Sequence, residues 1–247
     1  MKNRILLISG CSHAAGSEID GTQDSTYNRS KSFGNLFAEK IGYTPLNAAI
    51  GASNNQCIAR TILEWFSKNY DHETMEVKVL VSWTEPTRID FPVPVENIQY
   101  DEFRNPAADF YSITARNYLK VNIAWKGLND WEKGILKTCH EFMADCPLYF
   151  EIQSANNILQ IQYFFKSLNI DYIMCNSTHL FGNDEHLKFY LDVIDKKNYL
   201  NFNKNEEAFY TKYKNSGYVN EKAVWYHHGE EPHRLYAEEL YNFYVSR

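Results

Sequence analysis

The run Ile5-Leu6-Leu7-Ile8-Ser9-Gly10-Cys11-Ser12-His13 sets a hydroxyl and an imidazole directly behind a short stretch of branched aliphatic residues. Such a run, halted by a glycine and followed by small polar residues, reads as a buried parallel strand opening into a tight turn. Ligands of open α/β sheets bind outside the carboxyl ends of the strands, so Ser12 would face a cleft and is a candidate nucleophile. Serines in such turns also cap the helix that follows, which is the structural alternative. A serine hydroxyl attacks poorly at neutral pH unless a base within hydrogen-bond reach takes its proton. Candidate bases stand at the far end of the chain, in His227-His228-Gly229-Glu230-Glu231-Pro232-His233, and a final loop returning over the sheet's carboxyl edge would deliver them. His13, beside Ser12, is expected to line the cleft. The histidines invite a metal reading, but they lack a His-x-x-x-His spacing and have no cysteine nearby, so no metal is expected. Glu230 and Glu231 read as first-turn acids of a last helix. Glu85 and Arg88 follow another apolar run and would either pair at the cleft mouth or bind substrate, with Arg88 meeting an anionic group.

The elements that must hold these residues follow from periodicity. Phe33, Leu36, Phe37 and Ile41 fall at helical spacing before Gly42, Pro45–Ile50 is a short strand, and Ile58–Trp65 is helical again with Ser53 or Asn54 as its cap. Val77–Trp83 and Asp171–Cys175 are further buried strands, and apolar positions at helical intervals run through 131–167. Residues 13–32 read as a loop beside the site, 196–222 as surface irregularity, and Leu235–Tyr244 as a closing amphipathic helix. Strands alternating with helices imply βαβ units and a mostly parallel sheet, hence a three-layer α/β/α fold of flavodoxin-like type. With no repeat and no linker, residues 1–247 are expected to form one domain, with an insertion around 91–130 where prolines and aromatics break the periodicity.

Composition narrows the function classes. At 247 residues, with 44% hydrophobic and 23% charged residues, the chain can bury a large core and is not disordered. A net charge of −6 lacks the cationic face that phosphate-backbone binding needs, so nucleic acid is not an expected partner. No apolar stretch has the length of a membrane span, and the opening Met1-Lys2-Asn3-Arg4 precedes too short a run for a signal peptide, so a cytoplasmic location without membrane partners is expected. Five cysteines with no CxxC spacing signal neither a disulfide framework nor a zinc knuckle. An aromatic content of 15% suits a carbohydrate-like ligand as well as broad contact surfaces.

Three blocks stand together: Gly10-Cys11-Ser12-His13, then Asn47-Ala48-Ala49-Ile50-Gly51-Ala52-Ser53-Asn54, then His227-His228-Gly229-Glu230-Glu231-Pro232-His233. Their order resembles the SGNH hydrolase superfamily, the GDSL esterases and lipases. The resemblance implies Ser12 as nucleophile, the Ser12 and Gly51 amides as oxyanion donors, and His227 as base, with His228 taking that role after a one-residue shift. It covers the two ends of the chain and leaves roughly 90–220 without landmarks. Two departures stand out. The family's third block carries an asparagine, whereas this chain has Ser82-Trp83-Thr84-Glu85, so Thr84 or Asn54 would have to supply the side-chain donor. The family's acid stands three residues before the histidine, a position occupied here by Val224, so the imidazole must be oriented by a backbone carbonyl or another carboxylate. The expected reaction is hydrolysis of an ester, with an O-acetyl group on a carbohydrate as the candidate substrate, without a cofactor. The rival is a hydrolase-like fold without catalysis, serving as a binding or structural component of an assembly or a homo-oligomer. A weaker rival is an acyltransferase that uses the same serine.

Overall fold

The computed structural model describes residues 2–92, 110–114, 134, 137, 138, 141, 142, 144–225 and 227–247. Four parallel strands form the central sheet in the order β2-β1-β3-β6, built from β1 (Asn3–Gly10), β2 (Thr44–Asn47), β3 (Met75–Trp83) and β6 (Asp171–Asn176). Side chains alternate along them with period two. Leu7, Val79, Val81, Tyr172 and Met174 enter one apolar layer, whereas Leu6, Ile8, Leu80, Ile173 and Cys175 enter the other. Each fully buried aliphatic side chain contributes roughly 1.5–3 kcal/mol by leaving water.

Helices α1 (Ser12–Ala15), α2 (Thr26–Lys31), α3 (Phe33–Lys40) and α4 (Asn55–Asn69) follow the first two strands. One layer packs α4 and α5 (Pro147–Ser167) on the sheet through Ile58, Ile62, Ile158 and Ile161. The other packs α3 against the last helix through Phe33, Phe37, Tyr236 and Leu240. Between β6 and that helix lie α6 (Lys188–Val193) and α7 (Phe209–Asn215), and α8 (Glu230–Ser246) closes the described chain. The fold is therefore the expected three-layer α/β/α arrangement on a parallel sheet. Outside the sheet, β4 (Arg88–Pro92) pairs antiparallel with β5 (Phe110–Thr114). Most of the expected insertion at 91–130 lies outside the described residues.

Three sequence expectations need correction. Residues 13–32 are not one loop: Ser25 accepts from the Asn28 N–H at 3.0 Å and so caps α2. The strand expected at 45–50 ends at Asn47, although the Ala48 and Ile50 amides still bond to Ile8 O and Gly10 O beside β1. Residues 196–222 are not merely surface, since Tyr199, Phe209 and Tyr213 are buried and α7 wedges Phe209 between Phe33 and Tyr236. Their polar neighbours hid three apolar anchors.

In register, Gly10 lies opposite Ser82, and Ser82 opposite Cys175. The segments leaving β1, β3 and β6 therefore emerge along one sheet edge. That edge carries the candidate site.

Candidate active site

Ser12 is the first residue of α1, separated from the end of β1 only by Cys11. Gly10 makes this sharp exit possible. A Cβ there would lie 2.6 Å from the Ala14 Cβ and 3.0 Å from Ser82 O. Gly16 then ends α1 in the left-handed region at φ 77°, where a Cβ would sit 2.4 Å from Asn28 O. From β2, Asn47 donates to Ala14 O at 3.0 Å and to Asn35 Oδ1 at 2.9 Å, tying α1 and α3 to the sheet. Ser12 is half-buried at the rim this network fixes.

The tail reaches it. His227 Nε2 lies 2.8 Å from Ser12 Oγ, and His227 Nδ1 lies 2.6 Å from Glu18 Oε2. Ser12, His227 and Glu18 form one hydrogen-bonded chain. Glu18 also accepts from the Val224 and Trp225 backbone N–H groups at 3.0 and 2.9 Å, while its own carbonyl accepts from Asn220 Nδ2 at 2.8 Å. A side chain from the first loop thus ties down the segment that carries the imidazole. The Glu18 backbone sits at φ 63°, a region non-glycine residues seldom adopt, and its side chain is only 2% exposed. Burial of a carboxylate is tolerated there because two amides and an imidazole satisfy it.

Sequence reasoning missed Glu18. The carboxylate was sought near Val224, and Val224 contributes only its backbone N–H, donated to Glu18. No periodicity or motif marks a glutamate six residues after the serine. The one available hint was the need for another carboxylate.

Burial pushes the His227 imidazole below its ordinary pKa, and the nearby Arg88 charge adds to that. The bond and charge of Glu18 oppose the shift. His227 is thereby neutral and basic at neutral pH. His13 packs its ring 5.0 Å from His227 and 5.4 Å from Tyr210. It is buried, its Nδ1 has no hydrogen-bond partner among the described residues, and desolvation, followed by the charges of His227 and His228, holds it neutral. His13 therefore lies against His227.

The remaining candidates divide. His228 does not reach Ser12: its Nε2 lies 3.1 Å from Tyr210 O and it is buried against Phe209, so the one-residue shift is excluded by geometry. Thr84 is fully buried, with its N–H on Asn55 Oδ1 at 2.9 Å and its hydroxyl 3.4 Å from Thr178 Oγ1, and does not face the cleft. Asn54 is the cap of α4, its Oδ1 accepting from Cys57 N at 2.7 Å and its Nδ2 directed at Arg88 O at 3.4 Å. Neither supplies the side-chain donor expected of it. Gly51 lies exposed in the turn closed by Ser53 N on Ile50 O at 3.2 Å, with nothing within 4 Å of where a Cβ would stand. Its N–H has no hydrogen-bond partner among the described residues. Glu85 and Arg88 do pair, Nε to Oε1 at 3.1 Å. Among the described residues no group of acidic, histidine or cysteine side chains has the arrangement of a metal site.

No protein-family model matches the sequence, and no curated protein matches it. Among solved structures the chain is similar to a carbohydrate esterase, with a TM-score of 0.45 and 10% identity, over 100% of this chain and 66% of that one. It is similar to the psychrotrophic esterase EstA from Pseudoalteromonas sp., with a TM-score of 0.45 and 12% identity, over 99% and 98% of the two chains. An acetyl xylan esterase from the rumen bacterium Butyrivibrio proteoclasticus gives a TM-score of 0.46 and 13% identity, over 100% of this chain and 64% of that one. The chain spans just under two thirds of the length of the first and last of these proteins. Among the described residues no helix is long and apolar enough to cross a membrane.

Proposed function

We propose that this chain is a divergent SGNH-type serine hydrolase that cleaves esters, with Ser12 as nucleophile, His227 as general base and Glu18 as the acid that orients it. The reading is carried by one observation, the continuous chain from Glu18 Oε2 through both ring nitrogens of His227 to Ser12 Oγ, at 2.6 and 2.8 Å. A carboxylate on Nδ1 fixes the tautomer that leaves the Nε2 lone pair toward the hydroxyl. In acylation, Ser12 Oγ bonds to the acyl carbon and its proton moves to His227 Nε2. Glu18 stabilises the resulting imidazolium without taking the proton. The Ser12 and Gly51 amides hold the oxyanion, and its collapse expels the alcohol, which leaves with the proton from Nε2. Water then attacks the acyl-serine, gives its proton to His227, and releases the carboxylic acid with Ser12 restored.

For the substrate we favour an acyl group on a carbohydrate. Aromatic rings line this edge: half-buried Tyr210 borders His13, and exposed Trp225 stands two residues before His227. No cofactor is required. The deciding experiment incubates the protein and its Ser12→Ala variant with a fluorophosphonate probe and with p-nitrophenyl acetate. Labelling and turnover that vanish in the variant are expected. A folded wild-type protein that neither labels nor hydrolyses would instead favour the binding-component reading.

A further inference from the structure

We propose that Arg88 is a substrate-anchoring residue, and that the ester this site prefers carries a carboxylate near the scissile bond; this rests on the reading of Ser12 as nucleophile. Arg88 opens β4, five residues past the end of β3 and so past the sheet edge from which Ser12 emerges, and its side chain is only 11% exposed. Two contacts fix it: Nε donates to Glu85 Oε1 at 3.1 Å and Nη1 donates to Ser53 O at 3.1 Å. Ser53 closes the Gly51 turn, and Asn54 in that turn points its amide at Arg88 O. The guanidinium is therefore locked beside the Gly51 turn.

A guanidinium has five N–H donors in a rigid fork, and these contacts use two. Among the described residues Nη2 donates to nothing, and it is not one of the sealed atoms without partners, so that nitrogen remains reachable from solvent. Of the Arg88 fork, Glu85 Oε1 meets Nε. The positive charge reaches the reaction centre, since it contributes to holding both His227 and His13 neutral. Glu85 offsets part of this charge at Nε, and beside a base that must itself become cationic the unengaged end of the fork has room for a second anion. A carboxylate on the substrate would fill it with charge-assisted hydrogen bonds.

The test compares matched esters on wild type, Arg88→Gln and Arg88→Lys. One arm puts the charge on the acyl side, 4-nitrophenyl hydrogen glutarate against 4-nitrophenyl butyrate. The other puts it on the alcohol side, 4-acetoxybenzoate against 4-acetoxytoluene. Wild type is expected to favour the charged ester in at least one arm. In Arg88→Gln that ratio of kcat/KM should fall by about tenfold or more, as expected for loss of a charged hydrogen bond, while Arg88→Lys keeps part of it. Parallel losses on charged and neutral esters, or an unchanged ratio, would overturn the proposal and leave Arg88 as a brace for the turn. Should Arg88→Gln unfold because Glu85 loses its cation, the double variant Glu85→Gln/Arg88→Gln is measured in its place. Ser12 labelling of each variant separates failure of this proposal from failure of the hydrolase reading, since the latter alone removes labelling from wild type.

Discussion

The two sides of the cleft are built unequally. On the base side, Glu18 gathers three donors from the tail, and the imidazole is held at both ring nitrogens. On the proposed oxyanion side, Gly51 offers a backbone N–H from an open turn, while the Asn54 side chain caps α4 and the Thr84 hydroxyl meets Thr178 just past β6. One side is over-determined and the other depends on backbone amides. On the proposed reading, the orienting acid can move along the chain, provided its carboxylate arrives at Nδ1 with its other lone pairs satisfied. An oxyanion donor has less freedom, because it must sit where charge develops.

The largest effect is expected from the over-determined side. Glu18→Gln keeps the shape but allows the wrong tautomer at His227, and kcat should fall about 10³–10⁴-fold with little change in KM. The pH profile sharpens this. The proposed mechanism needs neutral His227, whose pKa already lies below its ordinary value, so the acid limb of wild-type kcat/KM should lie below about pH 6.5. Glu18 raises that pKa, so removing its charge should move the limb further down. A variant with wild-type kcat would break the comparison at its stronger end.

On the other side the N–H can be tested apart from the turn. Gly51 occupies the second position of a four-residue turn, where proline is tolerated, and Ala52 after it has φ 62°. Gly51→Pro removes the donor and should lower kcat about 10²–10³-fold. Gly51→Ala keeps the donor in open space and should cost much less. Equal effects of the two substitutions would mean that Gly51 acts through its missing side chain and not through its amide. A smaller effect is expected of Thr84→Val, which removes only a 3.4 Å hydroxyl contact inside the core. Stability should drop by about 1 kcal/mol with kcat within about threefold of wild type. A hundredfold fall in kcat would return the Thr84 hydroxyl to the oxyanion site.

What the sequence made legible follows the same division. The strands of the sheet announced themselves because both faces are buried, leaving continuous apolar runs that glycine or polar turns interrupt. Ser12 was legible because it follows such a run, and His227 because a resemblance marked the tail. Glu18 was illegible because its role depends on a left-handed backbone and on amides more than two hundred residues away, neither of which leaves a local pattern. The same holds for Thr84 and Asn54, whose residue types allow a donor role but whose partners, Thr178 and Cys57, are set by packing. Phe209 and Tyr213 escaped because a single i, i+4 pair inside a stretch rich in lysine and asparagine is too short to establish a helical period.

A third imidazole calibrates the base side. His233, in α8, is 1% exposed, stacks on Phe33 at 5.6 Å, and accepts the Phe33 N–H on Nδ1 at 3.1 Å. With no carboxylate to oppose it, burial carries its pKa down to about 3, further than that of His227. In the unfolded chain the group titrates near 6.5, so between about pH 6.5 and 3 the unfolded state binds a proton that the folded state refuses. Stability is therefore full above pH 6.5 and falls as pH drops through that window, by at most about 1.4 kcal/mol per pH unit from this group. His233→Gln retains an oxygen that can accept the Phe33 N–H but cannot titrate. Urea denaturation at pH 7.5, 6, 5 and 4, conditions chosen to bracket about pH 6.5, should show the variant less stable at the top of the range and losing less on acidification. Parallel profiles for the two proteins would mean that His233 does not resist protonation, and that the Glu18 carboxylate is not what sets His227 apart from its buried neighbour.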